Sequence, residues 1–230
     1  MTQKSKGDNS KKQKNGGASP TDILVHFVRN IYITPLHSLY VMTHNERCKE
    51  CKKRMFELLS KSYGKVEQDY NLHLSNKLDS FKDNLQYTNL RKIFTSLKNH
   101  RGFQNFVKAK NLPNVDFFIV NPGFIVEFDE SQHFTKPREI ALKNYPANLK
   151  LGFDKQKWIK HCEDLHKKDN DPPYRDEQRA WYDTMRDFAP FILNFMPTIR
   201  LFAKDHVWCS FDPENSEDIK KFKTIIGVGK

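Results

Sequence analysis

The sequence predicts an α/β domain with a mixed central sheet flanked by helices, and three observations carry that prediction. Two apolar runs, Val115 to Val120 and Phe124 to Asp129, are joined by Asn121-Pro122-Gly123, the composition of a tight hairpin turn. Neither run alternates apolar with polar residues, so both faces of these strands should be covered. A later stretch, Thr198 to Lys204, puts Ile199, Leu201 and Ala203 on one side, as a further strand would, and helical spacing dominates the segments between.

Taken in order, residues 1–20 hold Lys4, Lys6, Lys11, Lys12 and Lys14 against Asp8 alone, among Ser, Gly, Asn and Gln, and read as a disordered basic tail. A single domain is expected over 21–230. A helix is expected from Asp22 to about Tyr32, with Thr21 or Asp22 as cap. Residues 50–62 place Cys51, Met55, Leu58, Leu59 and Ser62 on one helical face, and Gly64 stops that helix. The next stretch alternates Val66, Gln68, Tyr70 and Leu72 against charged or amide residues, the period of a half-buried strand. From Leu74 to Phe106 the spacing is helical again. After the hairpin, Pro137 suits the first turn of a helix running to about Asn144. A polar loop at 167–173 closes on Pro172-Pro173, and a helix from about Arg175 to Phe188 should be stopped by Pro190.

The 230 residues (27.2 kDa) carry 39 Lys and Arg against 28 Asp and Glu, a formal charge of +11. That surplus favours polyanionic partners, nucleic acid first among them. No run of about 18 apolar residues is present, and no apolar segment follows Met1-Thr2-Gln3-Lys4-Ser5-Lys6, so the expectation is a soluble, intracellular, cytoplasmic protein with no membrane partner. Four cysteines, two of them at Cys48 and Cys51, are too few and too clustered for a disulfide scaffold.

The hairpin holds the chemistry. Asp116 interrupts an otherwise apolar strand, and Glu127 and Asp129, two apart on the next, point to one face. Three carboxylates converging on one small volume are costly unless a cation neutralises them, so this is the pattern of a hard-metal site for Mg²⁺ or Mn²⁺. Gln132 and His133 follow at once. The bland alternative is that the acids sit at strand ends and pair with Lys or Arg.

The run Val-Asp-Phe-Phe-Ile, a short turn, then Ile-Val-Glu-Phe-Asp-Glu-Ser-Gln-His-Phe resembles the core of the PD-(D/E)XK nuclease superfamily, closest to its very-short-patch repair endonuclease-like branch. The resemblance covers Val115 to Phe134, with the preceding helix and strand agreeing in order. It implies a restriction-endonuclease-like fold and metal-dependent hydrolysis of phosphodiester bonds in DNA, of restriction or repair type, with Asp116 and Glu127 as metal ligands, Asp129 assisting, and RNA as the other polymer to test. Where the family places a lysine, this chain has Asp129, and Glu130 replaces the following glycine. The lysine's work on the attacking water would then fall to His133, to Gln132 through a held water, or to Lys136 or Lys143 from the next helix.

Two other features are expected to bind. Arg175, Arg179, Tyr182 and Arg186 form one stripe of a helix that could grip a phosphate backbone together with Lys136, unless Asp176, Asp183 and Asp187 pair with it locally. Cys48-x-x-Cys51, preceded by His44, has zinc-knuckle spacing within an N-terminal helical part at 21–62, and Cys162 with His166 could complete a Cys₃His set. Two further functions fit the same sequence: a noncatalytic nucleic-acid-binding protein that kept a degenerate nuclease fold, and a zinc-stabilised interaction module. A homodimer is compatible with each.

Overall fold

The computed structural model describes residues 45–227. The expected tail at 1–20, the helix from Asp22 to Tyr32 and His44 lie outside the described residues. Within them the order is α1 (Lys49–Tyr63), β1 (Val66–Tyr70), α2 (Tyr87–Arg101), β2 (Val115–Ile119), β3 (Phe124–Asp129), α3 (Lys136–Lys143), α4 (Lys155–Leu165), α5 (Arg175–Leu193), β4 (Met196–Phe202) and α6 (Ser216–Ile226). The chain is therefore mixed α/β, with one four-stranded sheet flanked by helices.

The strands lie in the order β1-β2-β3-β4, antiparallel from β1 to β3 and parallel between β3 and β4. Gly123 makes the hairpin turn possible, because its φ of +97° is open to glycine and strained for other residues. All six residues of β3 are buried, which is why the strand shows no alternation. The return from β3 to a parallel neighbour needs a crossover, and α3, α4 and α5 supply it. Of these, α3 packs on both α4 and α5, α2 packs on α3 and α5, and α5 rests on β4, while α1 packs against β1, β2 and α6.

The structure departs from the sequence expectations in three places, each with a local cause. The region from Leu74 to Phe106 is helical only in the 3₁₀ turn Leu78–Phe81 and in α2, which Gly102 ends in the left-handed conformation. Pro190 does not stop α5, which continues to Leu193. A proline leaves the carbonyl four residues back without its helical donor, and here the Thr198 hydroxyl donates to the Arg186 carbonyl at 2.8 Å. The C-terminal α6 was not expected, although Asn215 caps it by accepting from the backbone N–H groups of Glu217 and Asp218, and Gly227 ends it.

Candidate functional site

The register that sets Phe117 opposite Val126 puts Asp116 beside Glu127 across the hairpin. The two carboxylates reinforce that pairing. The Phe128 N–H donates to Asp116 Oδ2 at 2.9 Å, and the Asp116 N–H donates to Glu127 Oε1 at 3.3 Å. Asp116 is partly open to solvent, whereas Glu127 is buried. Burial, with Asp116 alongside, pushes the Glu127 carboxyl up to about 7, and Arg186 pulls against that shift without cancelling it.

Two cations reach this pair from distant parts of the chain. Lys52 on α1 donates from Nζ to Asp116 Oδ1 at 2.8 Å. Burial works against its charge, but Asp116, with Glu130 and Glu127 behind it, holds its ammonium above the ordinary lysine value. Arg186 on α5 sets Nε 3.3 Å from Glu127 Oε1, a charge contact without hydrogen-bond geometry, since that Nε has no hydrogen-bond partner. It also hydrogen-bonds the Asn114 carbonyl and approaches Asp183.

Asp129 does not gather with Asp116 and Glu127 as the sequence led one to expect. Period two puts it on the expected face, but β4 runs alongside and brings Arg200 to it, with Nη1 donating to Asp129 Oδ1 at 2.7 Å. The Trp158 indole N–H takes Oδ2 at 2.7 Å. Arg200 also donates through Nε to Asp187 at 2.7 Å, and Arg138 donates to the other oxygen of Asp187 at 2.7 Å. The Tyr145 hydroxyl donates to that same oxygen.

His133 belongs to this buried network, its Nδ1 3.0 Å from Asp183 Oδ2 and 3.6 Å from Asp129 Oδ1. Asp129, Asp183 and Asp187 set three carboxylates against the guanidinium groups of Arg138, Arg186 and Arg200, with the His133 imidazole beside them. Burial opposes a charge on that ring, yet Asp183 and Asp129 outweigh it and raise the imidazole above its ordinary value near 6.5. An imidazolium has no lone pair with which to accept a proton, so this arrangement disfavours the base role expected of His133.

The other expected residues are also placed. Gln132 donates to Glu130 at 2.9 Å and its carbonyl accepts from Arg179. Lys136 and Lys143 both close on Glu139. The arginine stripe is not a free cationic face: Arg175 donates to the Asp171 carbonyl, Arg179 pairs with Asp169, and the Tyr182 hydroxyl accepts from the Ala109 N–H. Lys136 does line a cleft of about 380 Å³ with His100, Arg101, His166, Lys167 and Lys168, a concavity rich in basic side chains.

Cys162 and His166 do not meet Cys48 and Cys51. Cys162 is buried, its thiol pushed up to about 12 mainly by that burial, and the charges it feels are those of Arg138, Glu139 and Asp129. The cysteine that does approach Cys48 and Cys51 is Cys209, in the 3₁₀ turn Trp208–Ser210. Among the described residues, two groups thus gather metal-type donors, Cys48/Cys51/Cys209 and Asp129/His133/Asp183. Arg200 already lies on both carboxylates of the second, so a cation there would have to displace a guanidinium.

Comparison of the chain with protein-family models, curated proteins and solved structures gave no match. No described helix is long and apolar enough to cross a membrane.

Lys52, Arg200 and Cys209 are the residues that sequence reading missed. Lys52 had one weak signal, its place in the basic run Arg47-Cys48-Lys49-Glu50-Cys51-Lys52-Lys53-Arg54.

Proposed function

We propose that this chain is a metal-dependent endonuclease that hydrolyses phosphodiester bonds in DNA, on a restriction-endonuclease-like fold. The observation that carries the reading is the Asp116–Glu127 pair, side by side across the hairpin, with a lysine ammonium 2.8 Å from the partly open member. The strand order β1-β2-β3-β4, with only the last pair parallel and α1 leading into β1, agrees with it.

The donor set suits Mg²⁺ or Mn²⁺, because both oxygen ligands are hard and Glu127 is held near 7 by burial, with Asp116 adding negative charge that a cation would relieve. A divalent ion between Asp116 and Glu127 would polarise the phosphate and lower the pKa of bound water. Lys52 would take the part that the family gives to the lysine two residues after the acid. Its ammonium is held charged, so it acts as an electrostatic support for the phosphate rather than as a base. Arg186 would keep Glu127 oriented, and the cleft lined by Lys136 and Lys167 would receive the phosphate backbone.

One observation favours a second reading, noncatalytic nucleic-acid binding on a degenerate nuclease fold: Lys52 and Arg186 already occupy both carboxylates. The deciding experiment is incubation with single- and double-stranded DNA and RNA in Mg²⁺, Mn²⁺ or EDTA. Cleavage that EDTA stops supports the nuclease, and salt-sensitive binding without cleavage supports the second reading.

A further inference from the structure

We propose that Cys48, Cys51 and Cys209 hold one Zn²⁺ ion that staples the start of α1 to the turn after β4. The sulfur atoms of the three residues lie within 4.8 Å of one another. Tetrahedral zinc–thiolate bonds of about 2.3 Å separate sulfurs by roughly 3.8 Å, so modest side-chain rotation brings this trio onto a metal.

The backbone prepares the site on both sides. Cys48 is the N-cap residue of α1 and Cys51 lies in its first turn, where the helix presents backbone N–H groups to an anion. Cys209 is held by its neighbour Trp208, which is buried and donates its indole N–H to the Phe202 carbonyl at 3.1 Å. Three thiolates on a divalent ion leave a net charge of −1, and Arg47, Lys49, Lys52 and Lys53 surround the pair in sequence to offset it. On binding, each thiol gives its proton to solvent, and the fourth corner is left to water.

A Cys48–Cys51 disulfide is the competing chemistry for this spacing at a helix start. It would use two thiols and give the third no role, whereas zinc accounts for all three. The placement also matters to the hairpin site, because Lys52 directly follows Cys51. A metal that fixes the first turn of α1 fixes the lysine that meets Asp116.

The test needs no nuclease activity. The full chain, purified under reducing conditions without chelator, should contain about one zinc per chain, and exchange with Co²⁺ should give thiolate-to-metal charge-transfer absorption. Cys209→Ser should weaken metal retention against a chelator by ~10-fold or more, with Cys162→Ala retaining it. The proposal is overturned if wild-type protein is zinc-free and takes up neither Zn²⁺ nor Co²⁺, if Cys209→Ser holds metal as wild type does, or if alkylation without reductant recovers a Cys48–Cys51 disulfide. The wild-type measurements decide the matter even if a variant fails to fold.

Discussion

Lys52 Nζ meets Asp116 Oδ1 at 2.8 Å across 64 residues of sequence, so the cation beside the hairpin acids comes from α1 and not from β3. Position 129, two residues after Glu127, carries an aspartate committed to Arg200.

If Lys52 supports the reacting phosphate, Lys52→Ala should lower the cleavage rate by ~10²-fold or more. Its contact is with a partly exposed carboxylate, so stability should change by only ~1 kcal/mol or less. Lys52→Arg keeps the charge and should recover part of the rate. Single-turnover rates beside thermal melts check this, and a destabilised variant that cleaves normally would make Lys52 a structural residue only.

Glu127 links metal and stability. Its folded pKa of about 7 lies above its ordinary value of 4.5, so burial of this group favours folding only at low pH, and that contribution is lost as pH rises from 4.5 through 7. Above pH 7 without metal, Glu127→Gln should therefore stabilise the protein, by on the order of 3 kcal/mol. The same variant should not cleave. Urea melts at pH 5 and pH 8 measure the difference, and equal stability at pH 8 would show that the carboxylate is not under strain.

His133 makes the opposite kind of contribution, since the raised pKa belongs to a group that folding wants charged. Its stabilisation is complete below the unfolded value near 6.5 and is lost as pH rises through the higher folded value. Wild type should lose stability over that window, and His133→Gln should lack this loss. A cleavage rate tied to His133 deprotonation would instead return the imidazole to a catalytic role.

Arg200 compensates three buried aspartates at once. Arg200→Met leaves them uncovered and should cost about 3–5 kcal/mol. Denaturant midpoints read this directly, and a loss under about 1 kcal/mol would mean the network is not the keystone that its geometry describes.

These residues also show what a sequence can and cannot disclose. Asp116 and Glu127 were legible because a two-residue period and a tight turn are local, and they alone place the two acids side by side. The same period put Asp129 on the Glu127 face, but its partner was decided by β4, whose parallel return brings in Arg200 from 71 residues away. Arg186 showed in sequence as part of a cationic stripe, whereas the packing of α5 turns it inward to Glu127. Cys209 has no neighbouring motif and could not be joined to Cys48 and Cys51 without the fold.

Under the proposed function, Asp116 and Glu127 bind a divalent ion that drives phosphodiester hydrolysis. The most direct measurement is cleavage of duplex DNA by wild type and Asp116→Asn, each in Mg²⁺, Mn²⁺ and EDTA, with DNA binding followed in the same samples. The account predicts metal-dependent products from wild type and none from Asp116→Asn, with binding retained by both. Binding by wild type without cleavage in any metal, or equal cleavage by Asp116→Asn, would contradict it.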